Sequence, residues 1–121
     1  MSIDRKAAIR QYKETPRTMG VGVVRNTVTG KSLVISGIDL PSRLNRHQAQ
    51  LRLNAHMVKP LQADWNAQKG ESIVFEVVDT LEPRQEPDYD PREDLEALEQ
   101  LWLEKLQPFG ERGYNAPPRP R

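Results

Sequence analysis

A run of apolar residues divided by one tight turn most constrains how this chain can fold. The stretch GVGVVRNTVTGKSLVISG, residues 20–37, is rich in valine, leucine and isoleucine on both sides of a polar segment that contains glycine. Such a pattern is typical of two strands joined as a hairpin, here at about residues 19–26 and 32–38. The hairpin contains no acid, histidine or tyrosine. Any proton chemistry must therefore come from other parts of the chain.

The remaining elements follow from proline positions and from the spacing of apolar residues. Helices are predicted over residues 3–14, 40–53 and 60–70, and a third strand over residues 72–80. After a linker rich in proline and acid, a last helix is predicted from Pro91, with Asp90 as its N-cap. Its apolar stripe comprises Leu95, Leu98, Trp102 and Leu106. The sequence predicts a small three-stranded sheet with helices packed on it.

The length and composition indicate one soluble domain. The chain has 121 residues and no cysteine, so disulfides and thiolate metal sites are excluded. No stretch approaches the roughly 18–20 apolar residues of a membrane span, and no signal-peptide pattern opens the chain. We expect a cytoplasmic protein without a membrane partner. The predicted divisions are an N-terminal helix at residues 1–17, a folded domain at 18–115 and a disordered basic tail at 116–121.

The small net charge of +1 conceals a segregation of charge along the chain. Residues 1–31 carry seven Lys or Arg against two acids, and residues 41–63 carry four against none. Residues 85–106 reverse the balance, with eight acids against Arg92 and Lys105. A basic half that faces a polyanion explains this pattern. Electrostatic pairing of the two halves within the fold explains it equally well.

One face of the helix predicted at 40–53 carries side chains that suit phosphate. They fall at positions i, i+3, i+4 and i+7: Arg43, Arg46, His47 and Gln50. Guanidinium groups offer fixed paired donors to phosphate oxygens, so this face is a candidate nucleic-acid contact. The same spacing also fits an ordinary solvated helix face, which spacing alone favours.

Glu99, in the last helix, is the candidate metal ligand. Mg²⁺ binds one or two carboxylates together with phosphate and water. In so acidic a helix most glutamates are expected simply to be solvated. The two histidines, His47 and His56, are nine residues apart without an intervening acid and make a poor zinc pair. No P-loop, GxGxxG motif or nucleophile elbow is present.

Together, the hairpin, the Arg43 helix and the segments LQADWN, FEV and LEQLWLEKLQPFGERGYN resemble the GIY-YIG nuclease family over about residues 19–115. The resemblance implies an α+β fold, in which helices flank a three-stranded antiparallel sheet. The two motifs of the family fall on residues 20–22 and 33–35. The resemblance also implies catalytic roles for Arg43, which steadies the phosphate, for Glu99, which binds Mg²⁺ or Mn²⁺, and for Asn115. His47 lies one turn beyond Arg43.

Both motif tyrosines are missing, because Gly22 and Leu33 occupy their positions, and Ile35 replaces the second glycine. In the mechanism that the family implies, a tyrosine helps to deprotonate the attacking water. Loss of a positioned general base costs on the order of 10²–10⁴ in rate. His47, with a reference pKa of about 6.5, and Tyr12 are candidates for a substitute base. A tyrosine restored at Gly22 is expected to raise cleavage.

The sequence therefore predicts a GIY-YIG nuclease-like domain that binds nucleic acid, with phosphodiester cleavage weak or lost. Binding is assigned to Arg43, Arg46, His47, Gln50 and the basic N-terminal third, with DNA favoured over RNA. Two alternatives stay open. One is an active endonuclease that uses Mg²⁺ or Mn²⁺ and a substitute base. The other is a protein-interaction module whose acidic last helix meets a partner. Strand preference and oligomeric state are left open.

Overall fold

The computed structural model describes residues 18–82 and 86–117. In chain order the elements are β1 (Met19–Asn26), β2 (Ser32–Gly37), α1 (Leu40–Arg52), α2 (Lys59–Gln68), β3 (Ile73–Leu81), α3 (Arg92–Leu106) and a 3₁₀ turn (Gly110–Arg112). The predicted α+β class is confirmed, and boundaries differ from the predicted ones by a few residues at most. The predicted N-terminal helix, Tyr12 and residues 118–121 lie outside the described residues. None of the described helices is long and apolar enough to cross a membrane.

The turn of the hairpin is organised by the side chain of Asn26, which is fully buried. Its Oδ1 accepts hydrogen bonds from the backbone N–H groups of Val28 and Thr29, at 3.0 and 3.3 Å. Gly30, with φ of +79°, closes the turn by donating its N–H to the carbonyl of Asn26. An asparagine that bonds to the backbone two residues on is a typical turn former. The local sequence therefore determines the predicted hairpin.

The sheet has the order β2-β1-β3, and both pairings are antiparallel. β1 is therefore the central strand, and its side chains alternate between the two faces of the sheet. Val21 and Val23 pack on the α3 side, whereas Val24 packs on the side of α1 and α2. Because both faces of β1 are buried, helices must cover both. The chain provides α1 and α2 on one side and α3 on the other.

On the first face, α1 and α2 contribute the largest apolar core. Leu40, Leu44 and Leu51 of α1 and Leu61 of α2 are buried against β1, β2 and β3. Pro41 occupies the first turn of α1, as predicted, where its missing N–H is not needed. The burial of one leucine side turns the opposite, polar side of α1 toward solvent.

On the second face, α3 packs three residues of its apolar stripe, Leu98, Trp102 and Leu106, against a cluster formed by Val21, Val23 and Val34. Within the stripe Leu95 is buried, whereas Leu98, Trp102 and Leu106 are half-buried. The indole Nε1–H of Trp102 donates to Asp79 Oδ2 of β3 at 3.0 Å, which fixes the ring at the edge of the sheet. The helix begins at Arg92, with Pro91 as its N-cap. Asp90, predicted as the N-cap, instead accepts the Arg92 N–H from one residue farther out, at 3.0 Å.

The segment after α3 covers the outer edge of β2. Gly113 forms a parallel bridge with Ser32, and the Tyr114 N–H donates to the Ser32 carbonyl at 2.8 Å. An uncovered strand edge presents unpaired backbone groups to other chains. The GYN block thus completes the backbone pairing of β2 over part of its length.

The orientation of α3 is testable through two leucines that the helix places differently. Leu95 is 6% exposed and Leu101 is 57% exposed. We expect Leu95→Ala to lower the free energy of unfolding by about 2–5 kcal/mol, as a core truncation does. Leu101→Ala, the matched control, should change it by about 0.5 kcal/mol or less. Urea denaturation measures both values, and equal losses would contradict this orientation of α3 and of Glu99.

Candidate nucleic-acid interface

The polar side of α1 forms the candidate contact surface, here called the Arg43 patch. It comprises the side chains predicted from their spacing: Arg43, Arg46, His47 and Gln50. The two arginines are exposed, and His47 and Gln50 are half-buried. Among residues 18–82 and 86–117 the ion pairs are Arg25–Glu76 and Arg92–Asp90. Neither guanidinium of the patch is therefore neutralised by a carboxylate from this part of the chain.

A shallow pocket of about 240 Å³ opens beside these arginines, at the junction of β2 and α1. Its lining residues are Gly37, Ile38, Asp39, Ser42, Arg43 and Arg46. Gly37 leaves room for the arginine stem, because a Cβ at this position would lie 3.1 Å from Arg43 Cδ. The acid in the lining, Asp39, accepts a hydrogen bond from the Ser42 hydroxyl at 2.9 Å. Because the Ser42 proton is committed to Asp39, the donors that the pocket offers to a ligand are the two guanidiniums.

His47 is joined to the second histidine of the chain. Its Nδ1 lies 2.8 Å from His56 Nε2, and the ring centroids are 5.0 Å apart. Burial, as the largest cause, and the charge interactions with His56, Arg43 and Arg46 together lower the pKa of His47 from 6.5 to about 4. Burial also lowers the pKa of His56. Both imidazoles are therefore neutral at physiological pH.

Glu99 lies on the other face of the sheet but reaches the same end of β2. Its Oε2 accepts a hydrogen bond from the Ser36 hydroxyl. Ser36 is the neighbour of Gly37, against which the Arg43 side chain packs. The two residues predicted to hold phosphate and metal thus approach adjacent residues of one strand from opposite faces. No group of three or more acids, histidines or cysteines that could hold a metal occurs in the described residues.

The positions of the missing tyrosines are filled by the apolar core. Leu33 is buried with the leucines of α1. A Cβ at Gly22 would lie 3.2 Å from Leu44 Cδ2 and 3.3 Å from Leu40 Cδ1. A β-bulge between Val21 and Gly22 adds an irregularity here. The Cβ would also lie 3.1 Å from the Glu76 carbonyl oxygen, so the predicted rescue by Gly22→Tyr meets an obstacle, because the new side chain must displace the tips of Leu40 and Leu44.

Asn115, predicted to be catalytic, bonds to the backbone of β2 through both its amide oxygen and its amide nitrogen. The Val34 N–H donates to its Oδ1 at 2.8 Å, and its Nδ2 donates to the Val34 carbonyl at 3.0 Å. These bonds give it a structural function, and a catalytic role stays a prediction. Its neighbour Tyr114 donates to Asp64 Oδ2 at 2.6 Å. Burial and this bond raise the pKa of Tyr114 to about 12, so Tyr114 is a poor base.

The contacts of the site include two residues that sequence reasoning did not select. Ser36 was not considered, and His56 was considered only as one half of a zinc pair. The available signal for His56 was its position in the acid-free segment that also carries Arg43, Arg46 and His47. No comparable signal identifies Ser36, because its partner Glu99 is 63 residues away.

Of three comparisons with known proteins, one finds matches. No family model matches the sequence, and no curated protein matches it significantly. Solved structures do match, and they assign the chain a GIY-YIG-like fold, in agreement with the resemblance. Both are structures of the catalytic domain of the homing endonuclease I-TevI, an intron endonuclease.

The two matches have similar TM-scores and cover similar shares of this chain. The first, a mutant of that catalytic domain, has a TM-score of 0.64 and 21% identity, and the match covers 81% of this chain and 92% of that one. The second has a TM-score of 0.63 and 24% identity, and it covers 83% of this chain and 99% of that one. At these identities the matches establish the fold, and the function requires argument from the residues.

The structural function of Asn115 leads to a stability prediction. Asn115→Ala removes both bonds to Val34 and should lower the free energy of unfolding by about 1–3 kcal/mol, because part-buried backbone groups lose their partners. Asn45→Ala, on the exposed side of α1, is the matched control and should change it by at most about 0.5 kcal/mol. Chemical denaturation measures the free energy of unfolding of both variants. An Asn115→Ala variant with the free energy of unfolding of the wild type would show that the stability of β2 does not depend on this amide.

Proposed function

We propose that this GIY-YIG-like domain binds nucleic acid through the Arg43 patch, and that its phosphodiester cleavage is weak or lost. The observation that carries the proposal is a contrast within one site. The arginines that suit phosphate are exposed and without a carboxylate partner among the described residues. At the positions of the two motif tyrosines the chain has Gly22, whose backbone lies close to Leu40 and Leu44, and Leu33, which is buried.

The binding half of the proposal rests on the chemistry of guanidinium. Arg43 and Arg46 present planar sets of donors beside a pocket that is open to solvent. Phosphate oxygens accept such donors in pairs, and the release of condensed counterions adds a favourable free energy that is independent of sequence. Gln50, one turn farther along α1, extends the patch with an amide that both donates and accepts. DNA is the favoured partner over RNA, and a cytoplasmic location remains the expectation.

The catalytic half rests on the absence of a suitable base near the site. Tyr114 has its hydroxyl committed to Asp64, and the pKa of His47 is already lowered by burial. The other tyrosine of the described residues, Tyr89, donates its hydroxyl to Asp94 Oδ2 at 2.7 Å, so both described phenols are hydrogen-bonded to carboxylates. Without a positioned base, the rate is expected to fall by roughly 10²–10⁴.

A divalent metal fits this site only in part. Glu99 and the Ser36 hydroxyl supply oxygen atoms, which Mg²⁺ and Mn²⁺ prefer. One carboxylate is the minimum that Mg²⁺ uses, with phosphate and water completing its coordination. When bound, the ion would stabilise charge on a phosphate held at the same end of β2. Glu99 would hold this ion, and Arg43 would orient the phosphate.

An active endonuclease is the second candidate, and one observation favours it. Glu99 and the Arg43 side chain approach adjacent residues, Ser36 and Gly37, so the acid and the phosphate donor remain at one end of one strand. Glu99 would hold a divalent ion there, which would supply Lewis-acid activation of water, and Arg43 would orient the phosphate. The two candidates share the binding surface and differ in turnover.

Binding is tested by its dependence on salt. Arg43→Ala with Arg46→Ala should weaken binding to a short DNA duplex and reduce the slope of log K against log salt by about 1.8, the value for two phosphate contacts. The matched control is Arg52→Ala with Lys59→Ala, which removes the same charge. Arg52 is nine residues from Arg43 and so lies on the opposite side of α1. Fluorescence anisotropy at several salt concentrations measures both slopes.

Equal effects of the two double variants would show that net charge, rather than the patch, drives binding. A wild-type protein that binds neither DNA nor RNA would overturn the proposal and favour the protein-interaction alternative.

Turnover is tested with Mg²⁺ and with Mn²⁺ on single- and double-stranded DNA. We expect binding with little or no cleavage, and any residual cleavage should disappear in Glu99→Ala. Glu96→Ala, an exposed acid of the same helix, is the control and should retain it. Efficient cleavage that is lost only in Glu99→Ala would replace the first candidate by the second. Cleavage that both variants retain would show that Glu99 is not a metal ligand.

A further inference from the structure

The contact between His47 and His56 is part of a hydrogen-bonded series that begins at the backbone. The Val58 N–H donates to His56 Nδ1 at 3.0 Å. His56 Nε2 in turn lies 2.8 Å from His47 Nδ1. A backbone N–H can only donate, so His56 Nδ1 carries a lone pair, and the proton of the neutral ring is on Nε2. His56 therefore donates to His47 Nδ1, and the proton of neutral His47 is on its own Nε2.

His56 is held firmly in the orientation that this series requires. The residue is 2% exposed, and its backbone N–H donates to Gln62 Oε1 at 3.0 Å. Gln62 is itself fixed, because its Nε2 donates to the Leu51 carbonyl and to Asn66 Oδ1, both at 3.0 Å. The opposite tautomer of His56 would place an Nδ1–H against the Val58 N–H, with two donors facing each other. The end of α1 and the start of α2 thus jointly orient the ring.

We propose that His56 is a positioning residue that holds His47 as the Nε2–H tautomer, so that His47 acts as a hydrogen-bond donor within the Arg43 patch and not as a base. The lone pair of His47 is occupied by His56. The free nitrogen bears a proton, which suits a phosphate oxygen and cannot accept a proton from water. This inference rests on the proposed function for the identity of the acceptor. The tautomer itself is independent of any ligand.

The tautomer is measured directly by long-range ¹H–¹⁵N NMR on the full chain at pH 7.5. The chain has two histidines, so single variants assign all four ring nitrogens. We expect Nδ1 to be unprotonated and Nε2 protonated in both rings. In His56→Leu the His47 signals should shift toward those of a mixture of tautomers, whereas His56→Gln, which keeps a side-chain N–H donor, should restore the wild-type signature. Thermal melting confirms that each variant is folded.

The consequence for function is measured with two variants of His47 and the DNA duplex used above. His47→Gln keeps an N–H donor and removes the base, whereas His47→Ala removes both. We expect His47→Gln to bind within about twofold of wild type and His47→Ala to bind about three- to tenfold more weakly.

Failure of this inference is distinguishable from failure of the proposed function. An Nδ1–H tautomer of His47 in the wild type, or a signature that His56→Leu leaves unchanged, would overturn the positioning role whether or not DNA binds. Binding that falls equally in His47→Gln and His47→Ala would overturn the donor role. A wild type that shows the expected tautomers without any binding would retain the positioning of His47 and overturn the proposed function alone.

Discussion

The burial of β1 on both faces is the constraint on which the rest of the structure depends. Val21 and Val24 are fully buried and point to opposite sides of the sheet. A strand that is apolar on both sides is stable only between two layers, and so helices must return to each face. The hairpin fixes β2 beside β1, and α1 follows β2 after two residues. This short connection brings Arg43 to the end of β2, and the packing of α3 on the opposite face brings Glu99 to the same end.

Most of the fold was predictable because its elements depend on interactions between residues that are close in sequence. The hairpin depends on Asn26 and Gly30, and α1 depends on Pro41 and a leucine stripe, all of which act within a few residues. The predicted N-cap of α3, Asp90, lies one residue before the observed N-cap, Pro91, because both residues are common at the start of a helix. The pattern of residues also predicted which side of α1 faces solvent. None of these inferences needed knowledge of contacts between distant segments.

The contacts of the candidate site, in contrast, depend on residues that are far apart in the sequence. The bonds between Asn115 and Val34 and between Ser36 and Glu99 join residues 81 and 63 positions apart. Periodicity carries no information about such pairs, and so Asn115 was assigned by resemblance alone and Ser36 was missed. His47 and His56 are close in sequence, yet their contact depends on the turn after α1, where Asn54 has a positive φ of 57°. The distance of nine residues suggested a poor metal pair, whereas the structure shows a directional hydrogen bond.

The two positions at which the resemblance expects tyrosines, Gly22 and Leu33, belong to the packed core. Leu33 contributes its whole side chain to the core, and Leu40 and Leu44 approach the backbone at Gly22. Buried leucines of this kind stabilise a fold by about 1.5–3 kcal/mol each relative to exposed ones. A phenol would need both space and a hydrogen-bond partner in the same region. The packing at Gly22 and Leu33 therefore leaves no open volume for a phenol between α1 and the sheet. Arg43 and Arg46 are exposed on a different side of the same helix. One helix thus combines a side that completes the apolar core with exposed arginines that are free of a carboxylate partner among the described residues.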